Sequence, residues 1–193
     1  MSSSVSDIDL LTEKVRRYVK KSVSEKRYSH SVRTAEMCRK LCALYGLDEK
    51  TGYFAGISHD MCKNFKPEQL LSLAQEDGAD VSELERKNPS LLHGRAAAVL
   101  LKNNFGVTDS SVLEAVANHT FGKTGMCSLA KVLYAADKIE PGREHVTEDY
   151  LARLLSLSLD GLVKAVLEEN IDYLRKKGSA VAQESEKLLE SLQ

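Results

Sequence analysis

Apolar positions in this chain recur at spacings of three and four along almost its whole length, the period that turns one face of an α-helix toward a core. The first such run covers Asp7 to Val23: Ile8, Leu11, Val15, Val19 and Val23 share a face, with Lys14, Arg16, Arg17, Lys20 and Lys21 mostly on the other. A second helix is expected from about Ser29 to Tyr45, stopped by Gly46, and a third from after Asp48 to near Cys62. His30 then opens one helix and His59 closes the next. Pro67 suits the first turn of a short helix that ends at Gln75, before Gly78. Asn88-Pro89-Ser90 reads as a loop, with Ser90 capping a helix from Leu91 to Asn103 in which Ala96, Ala97 and Ala98 permit close helix contact. Gly106 breaks that helix. Asp109 or Ser110 starts the next, through Val112, Leu113, Val116 and Ala117 to His119, and Thr120 to Gly125 forms a loop. Cys127 to Ile139 carries Leu129, Val132, Leu133 and Ala136 and is terminated by Pro141-Gly142. Helices around Glu148 to Leu155 and from Leu159 to Arg175, a stop at Gly178 and an amphipathic segment through Leu188, Leu189 and Leu192 complete the chain. No strand is evident, so the expected fold is all-α, a helical bundle.

Length and composition narrow the picture. A chain of 193 residues, 42% hydrophobic and 28% charged, with no linker or repeat, reads as one domain over 7–193 behind a flexible polar start at 1–6. The formal net charge of −1, with no long block of either sign, removes a global electrostatic case for DNA, RNA or an anionic membrane. Any anion must be held locally. The first residues carry neither a basic start nor an apolar stretch, and no run reaches transmembrane length, so a cytoplasmic protein is expected. Cys38, Cys42, Cys62 and Cys127 form no CxxC pair and read as packing thiols.

Chemistry concentrates in the histidines. His59-Asp60 places an imidazole nitrogen beside a carboxylate, two donors that can serve one cation, with a second carboxylate oxygen left for another metal or for water. Four of the five histidines, His30, His59, His93 and His119, stand at the start or finish of an expected helix among small or apolar residues. Asp137 follows Val132-Leu133-Tyr134-Ala135-Ala136 on a helix with a buried face, where a carboxylate is costly unless a cation or several donors compensate.

These residues carry a resemblance. His30, then His59-Asp60, then Asp137 after Ala135-Ala136 resembles the H…HD…D pattern of the HD-domain superfamily of metal-dependent phosphohydrolases. Leu91-Leu92-His93-Gly94, Asn118-His119-Thr120-Phe121-Gly122 and Ala136-Asp137-Lys138-Ile139-Glu140-Pro141-Gly142-Arg143 are similar to the bacterial YqeK branch, over about Arg27 to Gly178. The resemblance implies a helical bundle with a central metal site and a hydrolase that splits diadenosine tetraphosphate symmetrically into two ADP. It implies a divalent metal, iron favoured, as one or two ions. His30, His59, Asp60 and Asp137 match the first-metal ligands, while His93 and His119 match residues that face the phosphates or hold a second metal. Asp60 and Lys63 match catalytic positions, Lys63 as a phosphate contact; Thr120 and Arg143 match positions that touch the nucleotide, so that the metal residues His30, Asp60, His93, His119 and Asp137 also border the substrate.

The residues fit that chemistry on their own terms. Hydrolysis of a phosphoanhydride requires a nucleophilic water and neutralisation of phosphoryl charge, which a His/Asp-bound cation supplies. Lys63, Lys123, Lys138 and Arg143 are the local cations, and the planar fork of Arg143 is best suited to two oxygens. The Thr120 to Gly125 loop could bring backbone donors to a phosphate. His145 has no matched role and is expected on the surface. The chain departs from the family at Ser179 to Ser185, where relatives carry a His-Pro pair, and at Lys138, where many carry an aromatic residue. An HD enzyme for another nucleotide, or a non-catalytic scaffold, are the competing readings. A homodimer is left open, because the C-terminal segment could pack on its own core or on a second subunit.

Overall fold

Ser24, Asp48, Asp109, Thr147 and Ser158 each take an extended backbone and accept a hydrogen bond from a backbone N–H of the following turn, which satisfies donors that a helix start leaves open. These caps fix five of the helix starts. The computed structural model describes residues 7–192, so the expected flexible stretch 1–6 lies outside the described residues. Along them run α1 (Asp7–Ser22), α2 (Glu25–Leu44), α3 (Glu49–Ser58), α4 (Pro67–Gln75), α5 (Glu83–Lys87), a 3-10 turn (Pro89–Leu92), α6 (His93–Phe105), α7 (Ser110–Asn118), α8 (Ser128–Ile139), α9 (Glu148–Leu155), α10 (Leu159–Lys176) and α11 (Gln183–Ser191). Among the described residues there is no strand, as the sequence predicts.

One hydrophobic cluster runs from Val15 and Val19 of α1 through Leu41, Phe54, Leu101, Val116 and Leu133 to Leu162, Leu167 and Leu188. Within it α2 packs on α3 and α8, α6 on α7, and α8 on α7 and α10. The α2–α3 contact is close because Gly56 faces Ala35: a Cβ on Gly56 would lie 2.5 Å from the Ala35 Cα. Cys38, Cys42 and Cys62 are buried, Cys127 is half-buried, and all four are free thiols, as expected of packing residues. The C-terminal segment packs on its own core: Leu188 is buried and abuts Gly122, and the Ser185 hydroxyl donates to the Phe121 carbonyl at 2.7 Å. Among the described residues no helix is long and apolar enough to cross a membrane.

Three local expectations need correction. Helix α2 starts at Glu25 because Ser24 caps it, so His30 sits in the second turn instead of at the start. Helix α3 ends at Ser58, and residues 59–64 continue as tight turns, which places His59 and Asp60 just beyond the helix. Ser90 caps nothing: Pro89 sets a 3-10 turn, and α6 begins at His93 with Leu92 at its N-cap. Helix α5, not anticipated, rests on a capping box in which Ser82 and Glu85 satisfy each other's backbone donors.

Arg95 ties this less regular region to α6. Its Nε donates to Asp77 Oδ2 at 2.7 Å and Nη2 to Asp77 Oδ1 at 2.8 Å, while the same fork reaches the Ala79 carbonyl at 2.8 Å and Glu85 Oε1 at 3.3 Å. Burial pushes the Asp77 carboxyl up, but the Arg95 bonds and the Ala79 N–H outweigh it and hold the group below its ordinary 3.8. Replacing Arg95 with Met is expected to cost about 2 kcal/mol, because charge-assisted acceptors lose their donor, and to lower Tm by roughly 4–8 °C in thermal unfolding. The depressed Asp77 pKa means that its stabilisation is present above the unfolded value and is lost as pH falls through the folded one. The difference between wild type and variant therefore shrinks on acidification below the ordinary 3.8. An unchanged Tm at neutral pH would refute the assignment.

Candidate metal centre

Five separate segments deliver the polar side chains that the sequence singles out. His30 comes from the second turn of α2, His59 and Asp60 from the turn after α3, His93 from the start of α6, His119 from the end of α7 and Asp137 from the last turn of α8. His30, His59, Asp60, His93 and His119 are buried, and the Asp137 side chain is 14% exposed. Gly94 makes room for one of them: a Cβ there would lie 2.8 Å from the Val116 carbonyl oxygen and 3.0 Å from the His119 ring.

The imidazoles share one orientation rule. His59 Nδ1 lies 2.7 Å from the Gly56 carbonyl oxygen, His93 Nδ1 2.7 Å from that of Ser90, and His119 Nδ1 2.8 Å from that of Val116. His30 Nδ1 lies 3.1 Å from Glu140 Oε1. A carbonyl or an ionised carboxylate only accepts, so each Nδ1 carries the proton and each Nε2 of a neutral ring is a bare lone pair. Those lone pairs face one another: His30 and His59 Nε2 are 3.3 Å apart, and His93 and His119 Nε2 are 2.9 Å apart. Facing lone pairs out of water repel unless a proton or a cation lies among them.

The carboxylates complete the set. Asp137 Oδ1 is 3.0 Å from His30 Nε2 and 3.7 Å from His59 Nε2, and Asp60 Oδ2 is 3.5 Å from His59 Nε2. Asp60 Oδ1 is 3.0 Å from His93 Nε2 and 3.8 Å from His119 Nε2. His30, His59 and Asp60 thus form one trio and Asp60, His93 and His119 a second, the ligand atoms of each lying within 4.8 Å of one another. Imidazole nitrogen and carboxylate oxygen ligands suit a divalent transition metal, and the residues present fit such an ion.

Burial lowers the His59 pKa and pulls that of His119 well down, with the charges of His93 and His59 adding to the latter. His30 is raised: burial opposes its protonation, but Asp137 and Glu140 outweigh it. Burial also works against ionisation of Asp60 and Asp137, yet neighbouring imidazoles for the first, and Lys138 with His30 for the second, hold both carboxyls well below their ordinary range. The centre opens into a cleft of about 1070 Å³ bordered by Arg27, Lys63, Thr120 and Arg143.

Residues 27–142 match the family model described as HD domain. The chain belongs to the HD-domain family. It is 31% identical to the Bacillus subtilis symmetrical bis(5'-nucleosyl)-tetraphosphatase, over 84% of this chain and 87% of that protein. It is 34% identical to the Staphylococcus aureus protein of the same name, over 68% and 67%. Among solved structures it resembles a predicted HD superfamily hydrolase involved in NAD metabolism from Clostridium acetobutylicum, with 29% identity, a TM-score of 0.86, and coverage of 93% of this chain and 95% of that one. These likenesses bear out the resemblance read from the motifs.

The HD-domain fold brings His30, His59, Asp60, His93, His119 and Asp137 to one centre and sets Lys63, Thr120 and Arg143 on the same cleft. Lys63 Nζ stands 3.3 Å from the His93 ring nitrogens; burial lowers its pKa, and Arg27 and Arg143 add to that while Asp60 opposes. The Thr120 hydroxyl is buried at the cleft and has no hydrogen-bond partner among the described residues. Arg143 donates to Asp137 Oδ1 at 2.8 Å and to its carbonyl at 2.6 Å. Two of the expected phosphate cations are not free at the cleft. Lys123 is exposed and does not line the cleft, and Lys138 is engaged by the His119 carbonyl at 2.9 Å, Asp137 Oδ2 at 3.3 Å and the Tyr134 ring. His145 is exposed, as expected, at the cleft rim.

Sequence reasoning gave no role to Glu140, Arg33 or Arg27. Glu140 is buried and accepts from His30 Nδ1, from Arg33 Nε and Nη2 and from the Gly142 backbone N–H at 2.6 Å; burial opposes its ionisation, but these donors bring its pKa to about 2. The signal was present in Glu140-Pro141-Gly142, where the turn returns an N–H to the glutamate that precedes it. His30 is the one of these four imidazoles whose Nδ1 faces a carboxylate, which raises its donor strength above that of rings held there by carbonyls. Glu140→Gln is expected to weaken manganese or ferrous-iron binding roughly 10- to 100-fold in calorimetric titration. Unchanged affinity in a folded variant would refute that role.

Proposed function

We propose that this chain hydrolyses diadenosine tetraphosphate symmetrically, releasing two ADP, with residues 7–193 acting as one HD-type domain. The observation that carries the reading is the convergence of His30, His59, Asp60, His93, His119 and Asp137 on one buried centre at the floor of a nucleotide-sized cleft. Relatives named for that activity support the substrate. The cleft volume of about 1070 Å³ reaches the upper end of ligand pockets, roughly 300–1,000 Å³, as a dinucleotide requires.

His30, His59, Asp60 and Asp137 would hold the first divalent ion, and iron is the metal that the YqeK likeness favours. The Asp60, His93 and His119 trio has the spacing for a second ion, with Asp60 shared. A bound ion supplies an acidified water and neutralises charge on the phosphoryl oxygens. The remaining work belongs to the chain. Asp60, ionised far below its ordinary range, accepts a hydrogen bond from the attacking water and orients it. Water oxygen bonds to one central phosphorus as the bond from that phosphorus to the central bridging oxygen breaks; the departing ADP takes the electron pair, and the proton lost by the water passes to solvent. Lys63 and Arg143 neutralise charge that builds on the phosphates, and Thr120 on the cleft wall is the nucleotide contact that the family likeness matches. Free thiols and a nucleotide substrate fit a cytoplasmic enzyme.

Protein loaded with ferrous iron should yield ADP as the sole early product from diadenosine tetraphosphate in a chromatographic assay. AMP with ATP would sink the symmetrical assignment. Asp60→Ala should lower turnover by at least about a hundredfold, since one residue serves both trios. Wild-type protein that holds no stoichiometric metal and shows no turnover would favour the scaffold reading.

A further inference from the structure

Glu140 is held by a fork from α2 and by a donor from its own turn. Arg33 Nε donates to Oε2 at 2.5 Å and Nη2 to Oε1 at 3.2 Å, while the Gly142 N–H donates to Oε2 at 2.6 Å. Two parallel donors from one guanidinium fix the plane of a carboxylate, which a single donor leaves free to turn. Oε1 also faces His30 Nδ1 at 3.1 Å, so the plane that Arg33 sets is the one that meets the ring. Arg33 follows His30 by three positions in α2, and both side chains lie on the face of that helix that meets the turn after α8.

Gly142 gives the fork its seat. A Cβ there would run into Arg33 Nε, Cζ and Nη2. Gly142 is not one of the glycines with positive φ, so backbone hand does not demand it; the guanidinium lying against its Cα does. No second guanidinium does the same work, because Arg143 Nε stands 3.9 Å from Glu140 Oε1 and the Arg143 fork is engaged by Asp137. We propose that Arg33 is a positioning residue of the metal centre: its fork holds Glu140 against His30 and so keeps the His30 Nε2 lone pair turned toward the other ligands, with Gly142 leaving the space that the fork needs. This inference rests on the metal-centre reading and is independent of which nucleotide is cleaved.

The test is calorimetric titration of manganese into chelator-treated protein without nucleotide, with thermal unfolding of each variant alongside. Arg33→Met should weaken manganese binding roughly tenfold, and Arg33→Lys, which keeps the charge without the fork, should fall between it and wild type. Gly142→Ala keeps every ligand and every charge but displaces the guanidinium, and it should lose about as much as Arg33→Met. Placed in a Glu140→Gln background, Arg33→Met should cost less than about twofold more, because the residue acts through that carboxylate. Wild-type manganese affinity in folded Arg33→Met or Gly142→Ala, a fall in Tm alone, or full additivity with Glu140→Gln would overturn the assignment. Wild-type protein that takes up no manganese or ferrous iron would instead overturn the metal-centre reading, and this inference with it.

Discussion

Bare imidazole nitrogens facing one another at 2.9 and 3.3 Å, beside two ionised carboxylates and largely out of water, set the constraint that organises this molecule. Every Nδ1 has an acceptor that fixes the tautomer, which leaves the four Nε2 lone pairs turned toward the centre. A divalent ion relieves the repulsion and uses the carboxylates at once. The cost of burying Asp60 and Asp137 is then offset by the same group that does the chemistry.

The helices can be read as supports for that centre. Three of the four histidines stand at a helix end, where the carbonyl three residues earlier lies within reach of Nδ1; Gly56, Ser90 and Val116 supply these acceptors. His30, inside α2, has no free carbonyl at that distance because helical bonds consume it, and the side chain of Glu140 takes the place. The glycines serve spacing. Gly56 lets α3 approach α2, and Gly94 leaves room for the His119 ring.

Cations divide into two groups by what holds them. Arg33 and Lys138 are committed to Glu140 and Asp137, and they stabilise negative charge that would otherwise be buried alone. Lys63, Arg27 and Arg143 keep exposed donors on the cleft. With a net charge near zero over the chain, local placement is what would draw a polyphosphate to one end of the bundle.

Much of this was legible before any coordinates. Periodicity gave most of the helices, because each buries one face, and the spacing of His30, His59-Asp60 and Asp137 carried the family. What escaped were contacts between residues far apart in sequence. Glu140 meets Arg33 across 107 positions and Arg27 meets Asp60 across 33, pairings that no local pattern encodes. Helix α5 was missed because five residues are too few for a period, although Ser82 and Glu85 spell its cap. Lys123 and Lys138 looked alike as free cations until packing buried one against Asp137 and turned the other to solvent. Local sequence determined which residues could bind a cation, since ligand chemistry is a property of residue type. Tertiary structure alone decided which were brought together and which charges stayed free, because those outcomes depend on how the helices pack.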